Sequence, residues 1–298
     1  MKDFLKRQLP KSWVYAMQER WRDYKYERDR RELAALPRAS GDVSLLRAAD
    51  SLRPADIFAA EPTAAWRAAQ AEFNAAAIGH LTGGVNPGDQ RAIFELIRYL
   101  KPRSVLEFGT HIGASTVHIA LALRQLMEED PRVPRDLTTV DIIDVNDPVR
   151  RHWEKFGSRQ SPAAMLEQIR ADDLVTFCAE PGLEFARKTQ RKFDLIFLDG
   201  NHAATAVYQE IPAALGMLAP NGVILLHDYF PGVKPLWADS VPIQGPALAV
   251  QRLRADGMAI EVIPLGALPW PTKKGTNITS LALAARGVSN VVQMSAVA

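Results

Sequence analysis

The 298-residue chain has a single cysteine, Cys178, which excludes an intrachain disulfide and a cysteine-built zinc cluster. It has no uninterrupted apolar run approaching the ~20 residues of a membrane-spanning helix, and its first residues lack the apolar core of a signal peptide. These absences predict a protein of a reducing compartment, the cytoplasm. Net charge is also scarce, +2 from 36 Lys or Arg and 34 Asp or Glu. A nucleic-acid binder is normally far more basic, so nucleic acid is not the expected partner. There is no internal repeat and no low-complexity segment. With 47% hydrophobic and 23% charged residues, the chain can bury a full core, and one large domain with an extension is expected.

The charge that exists is unevenly placed. Residues 1–40 carry eleven Lys or Arg against six Asp or Glu, and the remainder carries 25 against 28. Ser12 is a candidate cap for a helix that puts Trp13, Met17, Trp21 and Tyr24 on one face, with Arg20, Arg22, Lys25, Arg28, Arg30 and Arg31 around it. Residues 12–31 thus read either as a stripe packed on the chain's own domain or on a sister subunit of a homo-oligomer, or as a peripheral contact with an anionic membrane surface. Residues 37–60, with Pro37, Gly41 and Pro54, read as a linker holding a short helical piece near Ser44 to Ala49. Helices follow from Pro62 to Ala77 and from Gln90 to Leu100, separated by the break Gly83 to Gly88.

The most informative stretch is Val105-Leu106-Glu107-Phe108-Gly109-Thr110-His111-Ile112-Gly113-Ala114-Ser115-Thr116. A short apolar run gives way to two glycines four apart and then to apolar residues at helical spacing, which predicts strand, tight turn and helix. Such a turn lets a ligand approach the backbone, and the helix that follows offers unpaired N–H groups. It is neither the dinucleotide pattern G-x-G-x-x-G nor the phosphate loop G-x-x-x-x-G-K-[ST], since position 111 is His and no Lys follows Gly113. An acid two residues before the first glycine suits a ligand with a cationic ammonium group. The string resembles class I S-adenosylmethionine-dependent methyltransferases, and most of all the small-molecule O-methyltransferases of the catechol type and their bacterial sugar-modifying relatives.

After this turn, strand and helix alternate, the pattern of a parallel sheet covered on both faces. Strands are predicted at 137–143, 174–178, 193–198 and 222–226, with helices near 113–127, 161–171, 181–189 and 203–218. Two last strands, 258–264 and 278–284, have no helix between them, which resembles the closing antiparallel hairpin of the class I methyltransferase sheet. The expected fold is therefore α/β and Rossmann-like: seven strands, mostly parallel with an antiparallel last strand, helices on both faces and an N-terminal helical extension. The expected division is 1–79 extension, 80–288 methyltransferase domain and 289–298 tail, the resemblance covering about two thirds of the chain.

Open α/β sheets bind ligands at the carboxyl ends of their strands, and here nearly every such end carries an acid. The resemblance implies that Glu107 and Ser115 lie by the methionine part of S-adenosylmethionine, and that Gly109, Gly113 and Asp199 also belong to the cofactor site. It implies further that Asp141 accepts from both ribose hydroxyls and that Glu180 falls near the adenine edge. Phe193-Asp194-Leu195-Ile196-Phe197-Leu198-Asp199-Gly200-Asn201-His202 and Gly222-Val223-Ile224-Leu225-Leu226-His227-Asp228-Tyr229 resemble the paired L-D-G-x-H and L-L-H-D-Y signature of a bacterial branch. In catechol-type enzymes the acids at Asp199 and Asp228 bind magnesium with an Asn directly after the second. Tyr229 stands at that Asn position, which leaves the magnesium ion open. His202 occupies the place of the catalytic lysine, and a histidine there can take the proton of an acceptor hydroxyl as the methyl is transferred. Catalysis is accordingly assigned to His202 and Asp199, against the alternative that His202 merely caps the next helix. His227 reads as orienting Asp228 or its loop, and Asp194 as structural. Residues 231–246, with Trp237 and Asp239, form a candidate acceptor lid together with Trp270, Lys273 and Lys274.

The expected reaction is methyl transfer from S-adenosylmethionine to a hydroxyl of a small molecule or sugar. The D/N-P-P-Y/F loop of base N-methyltransferases is absent at 199–202, and a NAD-dependent dehydrogenase would need a third glycine in the turn. An inactive scaffold that binds an adenosyl ligand and works through the basic N-terminal helix is the remaining alternative.

Overall fold

The computed structural model describes residues 11–75, 84–238 and 240–287. The expected tail 289–298, the boundary at residue 80, and Asp239 therefore lie outside the described residues, as do the side chains of Trp13 and Met17. In chain order the elements are α1 (Lys11–Ala35), α2 (Pro54–Ile57), α3 (Ala64–Ala75), α4 (Pro87–Leu100), β1 (Ser104–Phe108), α5 (Ala114–Glu129), β2 (Asp136–Asp141), α6 (Pro162–Gln168), β3 (Val175–Ala179) and α7 (Gly182–Lys188). They continue with β4 (Phe193–Leu198), α8 (Ala204–Met217), β5 (Leu218–Leu226), α9 (Gln244–Ala255), β6 (Ile260–Pro264) and β7 (Ala282–Arg286). No helix among the described residues is long and apolar enough to cross a membrane.

The seven strands form one sheet in the order β3-β2-β1-β4-β5-β7-β6. The first five are parallel, and β7 inserts antiparallel between β5 and β6. Alternation along the strands assigns the two faces. Val105, Leu137, Leu195, Phe197, Val223 and Leu225 face α3 to α6, while Leu106, Val140, Ile196, Leu198 and Ile224 face α8 and α9. Because both faces are covered, β1 is buried throughout after Ser104, including the carboxylate of Glu107.

Local signals explain where the helices begin. Asn86 caps α4 by accepting from the Asp89 N–H, with Pro87 at the first position, and Ser161 caps α6 by accepting from the Ala164 N–H ahead of Pro162. Asp194 accepts from the backbone N–H groups of Arg103 and Ser104, the structural role expected of it.

The structure departs from the sequence reading in several places. Helix α9 occupies 244–255, so the expected loop 231–246 ends at Ile243. Its Gln244-Gly245-Pro246 start reads as a loop in sequence, but proline belongs in a helical first turn. Gly245 is required by packing, since a Cβ there would lie 1.9 Å from the His202 carbonyl oxygen. The stretch 37–60, read as a linker, is woven into the domain: Leu46 is in the core and makes a parallel bridge with Gly222, as Ala48 does with Arg286. Ser12 lies within α1. That helix docks through its C-terminal end, where Leu33 is buried and Arg252 donates to the carbonyls of Leu33 and Leu36. Asp256 completes the clasp by accepting from the Ala39 N–H and the Tyr208 hydroxyl. Trp21 and Tyr24 are not packed on the domain; they are 63% and 54% exposed.

Candidate active site

A cavity of about 930 Å³ opens at the carboxyl ends of β1, β2, β4 and β5. It straddles the β1/β4 boundary, where the strand order reverses and the two crossovers leave in opposite directions. The turn after β1 forms its floor. Gly109 has φ +97°, and a Cβ there would lie 2.4 Å from the Asp199 carbonyl oxygen, so only glycine allows the turns after β1 and β4 to touch. Gly109 and Ser115 line the cavity. Gly113, with φ +82°, heads α5 and faces Pro162 outside the wall.

Glu107 lies beneath this turn and does not itself line the cavity. Its Oε2 accepts from Thr116 and Thr139, each at 2.6 Å, while Oε1 has no hydrogen-bond partner among the described residues. Burial pushes the Glu107 carboxyl up to about 7, against the pull of the Ser115, Thr116 and Thr139 hydroxyls and with help from the Asp199 charge. Asp141, at the end of β2, lines the cavity and accepts from the backbone N–H groups of His111 (2.8 Å) and Ile143 (3.2 Å). Glu180 is turned away, paired with Lys188 at 2.6 Å, and is not in the cavity wall.

At the other side of the cavity, Asp199, His202 and Asp228 each present a ligand atom, all within 4.8 Å of one another. His202 Nε2 is 3.6 Å from Asp228 and 3.9 Å from Asp199. His202 does not cap α8: that role falls to Ala203, which makes no side-chain cap bond, and its N–H donates to Asn201. Tyr229, in the place of the family's asparagine ligand, is buried in the core with its hydroxyl group's pKa raised by that burial. The third donor near the two carboxylates is instead the imidazole of His202.

His227 pairs with Asp199, Nδ1 to Oδ1 at 2.7 Å, rather than with Asp228, which is 3.8 Å away. Its Nε2 lies 3.6 Å from Asp89, a fully buried acid in the first turn of α4. Burial opposes the charged imidazole, yet the carboxylates of Asp199, Asp89 and Asp228 together hold the His227 pKa well above its ordinary value. In the sequence Asp89 reads only as an acid that starts a helix, one turn after the Asn86 cap, and nothing local signals its approach to His227.

Of the expected lid residues, Lys273 lines the cavity and its Nζ sits 4.4 Å over the Trp237 ring, which joins the two loops. Lys274 is exposed and outside the wall. Trp270 is not a lid residue: it is buried, donates from Nε1 to the Gly88 carbonyl and carries the Arg91 guanidinium 3.7 Å from its ring centroid.

A seven-stranded sheet with this order, a glycine turn after β1 and acids at the next strand ends together define the Rossmann-like class I methyltransferase fold. Residues 106–229 match the family described as a methyltransferase domain, and the sheet built around that segment has the class I methyltransferase fold. Its fold is similar to that of a Klebsiella pneumoniae protein assigned as an O-methyltransferase, at 17% identity and TM-score 0.50, over 76% of this chain and 92% of that one. It is also similar to TomG of Streptomyces achromogenes, an O-methyltransferase of tomaymycin synthesis in complex with SAM (19% identity, TM-score 0.48, 76% and 92% covered). A third is an O-methyltransferase from Bacillus cereus in complex with SAH (15%, 0.48, 76% and 92%). No protein among the curated ones matches the sequence.

Proposed function

We propose that the chain is a methyltransferase that moves a methyl group from S-adenosylmethionine to a hydroxyl of a small molecule or sugar, with His202 as general base. The observation that carries the reading is the Asp199–His202–Asp228 cluster on the wall of the same cavity that Gly109, Ser115 and Asp141 line. The residues fit an adenosyl ligand. Asp141 keeps carboxylate lone pairs beyond its two backbone bonds for a vicinal diol. The Gly109 turn has no side chain to block backbone approach, and Glu107 leaves an orphaned oxygen directly beneath it. When bound, S-adenosylmethionine supplies an electrophilic methyl on a sulfonium.

The chain's own groups then do the rest. Asp141 fixes the ribose end, and the α5 N-terminus with Ser115 holds the polar end of the amino-acid portion. His202 Nε2 takes the proton of the acceptor hydroxyl, and Asp199 and Asp228 stabilise the imidazolium that forms. His227, charged between Asp199 and Asp89, keeps the Asp199 carboxylate pointed into the site. Two carboxylates and an imidazole also suit a divalent cation; magnesium held by Asp199 and Asp228 would lower the pKa of a hydroxyl it binds. We place the reaction in the cytoplasm, with Trp21 and Tyr24 of α1 as the surface for a subunit or membrane contact.

Calorimetric titration with S-adenosylmethionine, S-adenosylhomocysteine and NAD tests the cofactor, with Asp141→Ala expected to abolish adenosyl binding. Turnover on a hydroxyl-acceptor panel, with and without EDTA, should fall at least ~100-fold in His202→Ala. Binding of NAD alone would overturn the reading, and adenosyl binding with turnover indifferent to His202→Ala would leave the scaffold.

A further inference from the structure

One acid in the cavity wall has no part in the chemistry above. Glu210 lies on α8, one turn beyond Ala206, and both residues line the cavity that His202 enters just before the same helix. It is 9% exposed, yet no hydrogen bond or ion pair engages it among the described residues. Its oxygens are not sealed in the core; the group borders the cavity. Burial alone, with nothing to compensate it, pushes its carboxyl up to about 7. A buried carboxyl without a partner is costly, and a helix position gains nothing from it that Gln or Leu would not supply.

The surroundings say what would satisfy it. Leu183 and Ile243 also line the cavity, so apolar walls accompany the acid. Three further acids, Asp141, Asp199 and Asp228, share the wall with it, of which Asp199 is already paired with the charged His227. Lys273 lines the cavity as well, and its ammonium rests over the Trp237 ring. An anionic acceptor meets repulsion in such a cavity, and a neutral hydroxyl leaves the Glu210 charge uncompensated. A cation resolves both.

We propose that Glu210 is an acceptor-recognition residue and that the acceptor is an amino alcohol or amino sugar, carrying a protonated amine on a short stem away from the hydroxyl that is methylated. This rests on the reading of the cavity as a methyltransferase acceptor site. The Glu210 carboxylate accepts a charge-assisted hydrogen bond from the ammonium, Leu183 and Ile243 flank the stem, and the hydroxyl end reaches His202.

The test uses matched probes that differ only in the amine: D-glucosamine against D-glucose, and dopamine against 4-ethylcatechol. Their dissociation constants are measured by calorimetry on the full chain at pH 8, with and without S-adenosylhomocysteine, for wild type, Glu210→Gln and Lys273→Met. Wild type should bind the ammonium member of at least one pair about ten-fold more tightly or better, the size of a charge-assisted hydrogen bond. Glu210→Gln should erase that preference while leaving S-adenosylhomocysteine affinity unchanged, which shows an intact fold, and Lys273→Met should keep it. Equal affinity within both pairs, no binding of any probe, or a preference that survives in Glu210→Gln overturns the proposal. Failure of wild type to bind S-adenosylhomocysteine strikes the methyl-transfer reading instead, and the ammonium preference measured without it is then judged on its own.

Discussion

Glu107 offers a test of the site's electrostatics that needs no substrate. Unfolded, its carboxyl titrates near 4.5; folded, it is held up to about 7 by burial. Between those values the unfolded chain has released the proton and the native chain keeps it, so the native state binds more protons and stability falls as pH rises through that window. The gap, at about 1.4 kcal/mol per pH unit, is worth roughly 3 kcal/mol in full above pH 7 and nearly nothing below pH 4.5. Glu107→Gln has no proton to lose. Its two hydroxyl partners, Thr116 and Thr139, can rotate to accept from the new amide, so the substitution shifts stability by a constant and removes the pH-dependent part. Urea denaturation of both proteins from pH 4.5 to 8, without ligand, should therefore show the difference in unfolding free energy moving by about 3 kcal/mol in the variant's favour across the range. Glu210, raised in the same direction, cancels because it is common to both proteins. A difference flat with pH to within ~0.5 kcal/mol would refute the argument that burial governs this group.

Other outcomes follow from the same geometry. Gly109→Ala, with φ +97° and Asp199 in the way, should cost about 2 kcal/mol or more in stability and weaken adenosyl binding at least ~10-fold by calorimetry. Gly245→Ala pushes on the His202 carbonyl and should lower kcat while the S-adenosylhomocysteine dissociation constant stays put. Asp199→Asn removes the main charge partner of His227, whose pKa should then drop in an NMR titration. The stability this pair contributes is full below the histidine's unfolded pKa and fades as pH rises through the raised folded value, so the variant should lose most at acid pH. Asp256→Ala should release the α1 end of the chain, read as faster protease cleavage near Leu36 to Ala39.

The fold and the site are legible in the sequence where one residue type answers one local demand. The glycine turn, the strand periods of β1 and β4 and the acids at the ends of β2, β4 and β5 were legible because each is a short-range signal. Helix α9 was not, because the Gly and Pro that open it are loop signals unless the neighbour they pack against is known, and that neighbour is the backbone of His202, some 40 residues earlier. Trp270 and Lys273 sit in one loop and look equally suited to a lid; only the fold shows that one is spent on Gly88 and Arg91 while the other reaches the cavity. Asp89 and Glu210 were hidden for the same reason. An acid on a helix is ordinary until the element across from it is seen to bury it.

The place of β7 bears on how the chain is made. It is the last strand among the described residues, yet it fills the slot between β5 and β6, and β6 pairs with no other described strand. A nascent chain that has extruded everything through Pro264 therefore presents two open edges, one on β5 and one on β6, until residues 282–286 arrive and zip both at once. Translation pausing in the intervening loop prolongs that interval, and premature termination there leaves a sticky, unfinished sheet for chaperones to hold or proteases to clear.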